Sequence, residues 1–114
     1  MASPESRAGA LPPAEAVALA PLIGYAPGAI VSRALVQSKA GSVTLFAFDT
    51  GQGLSEHATP YDAHLLVLEG EALLTIGGRE VRAGAGEITR MPADVPHSVE
   101  ARGRMKMLLL MIRD

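Results

Sequence analysis

An all-β domain, a sandwich or a barrel, is what this sequence predicts. Three observations carry the prediction. Beyond residue 28 the chain alternates short apolar or β-branched stretches with glycine-bearing turns, about eight stretches at intervals of roughly 8–12 residues. Gly77-Gly78 separates Leu73–Ile76 from Arg79–Arg82, which is the signature of a two-residue hairpin. No stretch after Gly28 has both the length and the 3.6-residue period of an ordinary helix.

In chain order, residues 1–13 are small, polar and proline-bearing, and read as a loose arm. Residues 14–20 (AEAVALA) suit a short helical turn, which Pro21 should end. Gly24, Pro27 and Gly28 then mark a loop. The expected division is a flexible arm over 1–28 and a β-domain over 29–114. Strands are predicted at Ile30–Val36 and, after the turn Lys39–Ser42, at Val43–Asp49. His64–Leu68 and Ala72–Ile76 flank Glu69-Gly70-Glu71, and Arg79–Arg82 closes the hairpin. After the turn bracketed by Gly84 and Gly86, Ile88–Met91 leads into the loop Pro92–Pro96. His97–Ala101 and Met105–Ile112 complete the set.

The last strand is apolar on both faces. Met105, Met107, Leu109 and Met111 alternate with Leu108, Leu110 and Ile112. A half-exposed strand would alternate apolar with polar, so both faces need cover. One faces the interior. The other requires a second sheet, the N-terminal segment or a second subunit, and a homodimer is the expectation.

Two groups of spaced residues carry the most information. Gly51, His57 and Gly70 form one, and Gly86, Pro92 and His97 the other. The layout resembles the two signatures of the cupin superfamily, the first of which reads G-x5-H-x-H-x3-E-x6-G. The resemblance spans about residues 41–112 and includes the run VLEGE before the Gly-Gly hairpin. It implies a double-stranded β-helix, or jelly-roll, barrel of the small single-domain RmlC-like kind. Thr59 stands where the second histidine belongs and Ala63 where the glutamate belongs. In the second motif Asp94 replaces a glycine and Ala101 the final asparagine.

In metal-binding cupins, two histidines and a glutamate of the first motif and one histidine of the second hold a divalent ion. By position, the resemblance implies His57 and His97 as retained ligands of Zn, Ni, Mn or Fe. Thr59 and Ala63 supply no such donors, and two imidazoles alone make a weak site. His64 is the third histidine of the chain. A regular strand turns it away from the cavity, whereas a bulge near Pro60–Asp62 would turn it inward and assemble a His57/His64/His97 set.

A metal-free reading stands beside this one. His57 and His97, with Thr59 and with Tyr61 near the mouth, would bind a small molecule in a cavity lined by Leu65, Val67 and Val99, or His57 and His97 would act as acid and base. The plainest reading makes both histidines inherited cavity residues bonded to Thr59 or water. Glu56 adjoins His57 in sequence, but neighbouring strand residues face opposite ways. A dioxygenase, isomerase or lyase would need the three-histidine arrangement.

Composition narrows the classes further. The 114 residues suffice for one core, and 48% are hydrophobic. Ten Lys and Arg are scattered around a net charge of −2, so no nucleic-acid partner is expected. Cupin barrels also serve in AraC-like regulators, but the sequence shows no helix-turn-helix pattern up to Asp114, so direct DNA regulation is not expected. Cysteine is absent, which excludes disulfides and thiolate chemistry. The longest apolar run, Met107–Ile112, is far short of the ~20 residues of a membrane helix. The N-terminus lacks a basic region preceding its apolar stretch, so a cytoplasmic protein is expected.

Overall fold

The computed structural model describes residues 10–113; residues 1–9 of the expected arm lie outside them. Among the described residues nine strands follow one another: β1 (Ile30–Ser38), β2 (Gly41–Phe48), β3 (Gly53–His57), β4 (Asp62–Glu69), β5 (Glu71–Ile76), β6 (Arg79–Gly84), β7 (Ile88–Met91), β8 (His97–Ala101) and β9 (Met105–Ile112). They pair antiparallel into two sheets, one ordered β1-β2-β9-β4-β7 and the other β3-β8-β5-β6. This is the jelly-roll arrangement, closed around one interior.

Strand periodicity decides which side chains enter it. Phe48, Ala63, Leu65, Val67, Met91, Met105 and Met107 from the larger sheet meet Ala72, Leu74, Val99 and Ala101 from the smaller. The interior is a packed core here. Leu65 and Val67 are wholly buried and Val99 is 3% exposed, so the three residues expected to line an open cavity instead fill the barrel with one another.

The Gly77-Gly78 hairpin forms as expected, with φ of 56° and 83°. Positive φ at both central residues is what a twisted two-residue hairpin demands. Gly70, at φ 81°, joins β4 to β5, and a Cβ there would collide with the Arg104 carbonyl oxygen. Two features of this turn therefore require glycine.

β3 does not stand out in the hydrophobic pattern. Its sequence GLSEH is polar, and it runs exposed along the edge of the smaller sheet. Hydrophobic periodicity does not register such a strand.

Residues 19–25 of the expected arm pack against the barrel. Residues 14–20 form no helix; a single 3₁₀ turn spans Ala20–Leu22 with Pro21 inside it. Proline fits there because the first turn of a helix has no internal partner for its N–H. Ile23 is 7% exposed and packs with Leu35, Leu45, Ala47 and Leu108 on the outer face of the larger sheet. The segment therefore covers much of the second apolar face of β9.

Polar contacts fasten this cover. Lys106, on the outer face of β9, is 9% exposed. Its Nζ donates to the Ala20 carbonyl at 2.8 Å, lies 3.6 Å from Glu69 Oε1 and sits 5.1 Å from the centre of the Tyr25 ring. Tyr25 donates to the same Glu69 oxygen at 2.7 Å. Burying a cation to this extent costs free energy that these contacts offset. Further along, the Gly28 amide donates to Asp49 Oδ2 at 2.6 Å, and Arg104 pairs with Asp49 Oδ1 at 3.1 Å. The Gly28 amide first, then the Thr50 amide and Arg104, hold the Asp49 carboxyl below its usual range. Among the described residues no helix is long and apolar enough to cross a membrane.

Candidate functional site at the barrel mouth

β3 and β8 bring the two motif histidines together. Their register places His57 opposite His97, after a bulge between Leu54 and His57. The bulge is consequential. Leu54 packs on the core, and the shift allows His57, an odd number of residues later, to face the same way. His97 shares the inner face of β8 with buried Val99 and Ala101 and is itself 4% exposed, whereas His57 is exposed at the rim. The ring centroids are 4.4 Å apart, with planes inclined at 68°, an edge-to-face contact.

Both rings are held by backbone. His57 Nδ1 lies 2.8 Å from the Ser55 carbonyl oxygen, and His97 Nδ1 lies 3.1 Å from that of Val95. A carbonyl only accepts, so each Nδ1 carries the proton. In the neutral ring that leaves Nε2 with a free lone pair. Burial pushes the His97 pKa below its ordinary value of 6.5. The Val95 carbonyl opposes that shift in part, and the neighbouring His57 adds to it.

The loops beside the pair are tied to each other. The Asp94 amide donates to the Thr59 carbonyl at 2.8 Å. The Ala93 amide donates to Asp62 Oδ1 at 2.9 Å, and Arg90 reaches Asp62 Oδ2 at 3.3 Å. The Ala93 amide, helped by Arg90, keeps the Asp62 carboxyl below its usual range. Asp62 is thus a brace between the motifs, a role that its sequence position did not signal. Asp94 has φ 64°, so the aspartate that replaces the motif glycine keeps a left-handed backbone. Aspartate tolerates this region better than most residues.

Thr59 is present at the mouth, but its hydroxyl is engaged in its own turn. It donates to the Tyr61 carbonyl at 3.1 Å and accepts from the Tyr61 amide at 3.3 Å. The histidines take backbone carbonyls as partners, not Thr59 as the sequence suggested. Tyr61 is half-buried at the rim, with the Arg113 guanidinium 5.5 Å from its ring centre.

His64 does not join the other two. β4 pairs regularly from its first residues, with Ala63 opposite Met91 and Met111, and His64 opposite Arg90 and Leu110. The irregularity in β4 falls later, between Val67 and Glu69. No bulge turns His64 inward, so it stays on the outer face, where its Nδ1 is buried without a partner. The His57/His64/His97 set is not assembled. Among the described residues no group of three or more His, Asp or Glu side chains is placed to hold a metal. The donors present do not fit a four-ligand divalent centre: Ala63, at the glutamate position, is 2% exposed within the apolar core.

The family model for the cupin domain matches residues 44–113. A conserved protein of unknown function from Streptococcus pyogenes is 30% identical, with 94% of each chain covered and a TM-score of 0.88. A cupin superfamily protein from Desulfitobacterium hafniense is 31% identical over 95% of this chain and 99% of that one, with a TM-score of 0.87. A cupin 2 conserved barrel domain protein from Leptotrichia buccalis is 35% identical, covering 83% of this chain and 46% of that one, with a TM-score of 0.81. No functionally curated protein matches the sequence. With the matched barrel, both motif histidines in register across β3 and β8, and the motif turns in place, this chain belongs to the cupin family as a small, single-domain, RmlC-like barrel.

Proposed function

We propose that the protein binds a small molecule at the mouth of its barrel, with His57 and His97 as the contacting pair and Tyr61 at the rim. The supporting observation is the pairing of two imidazoles whose Nδ1 atoms are both occupied by backbone carbonyls. Each neutral ring then offers one acceptor, Nε2, in a fixed orientation, which suits a ligand that donates from hydroxyl or amine groups. Thr59 acts through its turn, keeping Tyr61 in place. Screening a library of small hydroxylated compounds and carboxylic acids by NMR tests the reading. Binding should move the His57 and His97 ring signals, and His97→Asn should abolish it; compounds that bind without touching either ring would contradict it.

We further propose that two copies pair through the part of the outer face that the N-terminal segment leaves open. Ile88 is 61% and Ile112 53% exposed, on the same face as His64, Leu66 and Leu110. Apolar side chains gathered in this way support a self-complementary contact. Light scattering should give twice the chain mass at ~10 μM, a concentration typical of micromolar association, and a monomer there would contradict the pairing.

A further inference from the structure

At the same end of the barrel as the histidine pair lies an open pocket of about 270 Å³, lined by exposed Gln37, Ser38 and Lys39 together with Ser42, Tyr61 and Met111. Register explains its place. The β1–β2 hairpin closes at Ser38–Gly41, and Ser42 pairs with Met111, which pairs in turn with Ala63. The cavity therefore sits at the open end of the larger sheet, with Tyr61 at its border toward the first motif.

Its chemistry is one-sided. Lys39 is the cationic lining residue, and Arg113 stacks on the Tyr61 ring with its own amide donating to the Ala40 carbonyl at 2.8 Å. No carboxylate lines the cavity. Asp62, next to Tyr61 in sequence, is already held by the Ala93 amide and Arg90. Gln37, Ser38 and Ser42 share the lining with the lysine, the Ser38 hydroxyl being held in its own turn by the Gly41 carbonyl and the Ala40 amide, while Met111 and Tyr61 add apolar surface. A thioether beside an aromatic suits a flat apolar body.

We infer that this cavity is the acid-binding half of the site, taking a small carboxylic acid whose carboxylate meets Lys39 and whose apolar body rests on Met111 and Tyr61. The inference rests on the proposed ligand-binding role of the barrel mouth, and it adds the class of ligand. The cavity volume lies near the lower end of ligand sites, so the occupant is of benzoate size and not nucleotide size.

Benzoate is the probe, titrated into the full chain by NMR, with methyl benzoate as the uncharged control. Benzoate should shift the Met111 methyl and Lys39 side-chain signals, and methyl benzoate should bind more weakly. Lys39→Gln should weaken benzoate about tenfold, the scale of one charge-assisted hydrogen bond. Lys39→Arg should retain most of the binding. If the Met111 and Lys39 signals respond while His57 and His97 do not, the acid site stands and the role of the histidines falls. Equal binding of ester and acid, no effect of Lys39→Gln, or no benzoate response at ~10 mM, weaker than a millimolar complex, would overturn the inference.

Discussion

His97 lies edge-to-face against His57 at 4.4 Å, one ring buried in the barrel and the other exposed at its rim. Each ring is anchored through Nδ1 to a carbonyl two residues earlier in the chain. The contact links the two sequence motifs through side chains, while Asp94 and Thr59 link them through backbone.

The burial of His97 gives stability a pH dependence. Its folded pKa is depressed, so the unfolded chain takes up the proton first as pH falls. Stability is complete above the ordinary value of 6.5 and erodes as pH drops through it toward the folded value. Thermal unfolding followed from pH 8 to pH 5 should show a falling Tm, and His97→Asn should flatten that part of the curve. Asp49 and Asp62 act in a lower window: their folded values lie below 3.8, so their contribution is lost as pH falls from 3.8 through the folded values.

Asp94 should accept glycine. Its φ of 64° is tolerated by aspartate but costs glycine nothing. Asp94→Gly should be neutral or stabilising by up to ~1 kcal/mol, and Asp94→Val should destabilise by about 1–3 kcal/mol in denaturant titration. At Gly70 the order reverses. Gly70→Ala should lose at least ~1 kcal/mol, because the backbone is left-handed and the Arg104 carbonyl occupies the space a Cβ would need.

Tyr25 fastens the N-terminal cover through its hydroxyl. Tyr25→Phe removes the 2.7 Å bond to Glu69 while keeping the ring under Lys106 and Arg104. The expected loss is about 0.5–1.5 kcal/mol. Hydrogen exchange should quicken at the Ile23 amide before it quickens in the β5–β6 hairpin.

Metal affinity should rise when the missing carboxylate is returned. Wild-type protein, with two imidazoles at the mouth, should hold Zn weakly. Ala63→Glu should tighten Zn by at least tenfold, the effect of one good ligand interaction. It should also destabilise the metal-free protein, because the new carboxylate is buried in register with Met91 and Met111. Isothermal titration and thermal unfolding, with and without Zn, measure both effects.

Much of this architecture was legible in the sequence. β-Branched stretches and paired glycines marked most of the strands, and period-two alternation alone puts His64 opposite to Ala63 and Leu65. β3 escaped because its exposed edge carries Ser55 and Glu56 in place of an apolar stripe. The packed N-terminal segment escaped because its contacts are remote: Tyr25 reaches Glu69, and Ala20 receives Lys106. No local pattern encodes such pairings. Motif spacing singled out His57 and His97, but the bulge that brings them into register and the Asp62 brace depend on tertiary structure.

Long-range ¹H–¹⁵N NMR of the histidine rings at pH 8 measures the orientation of the two acceptors directly, with assignments from His57→Gln and His97→Asn. Both rings should show a protonated Nδ1 and an unprotonated Nε2, and the Nε2 signals should be the ones that move when a small molecule binds. Protonated Nε2 on either ring, or Nε2 signals that stay fixed under saturating ligand, would contradict the proposed role of the pair.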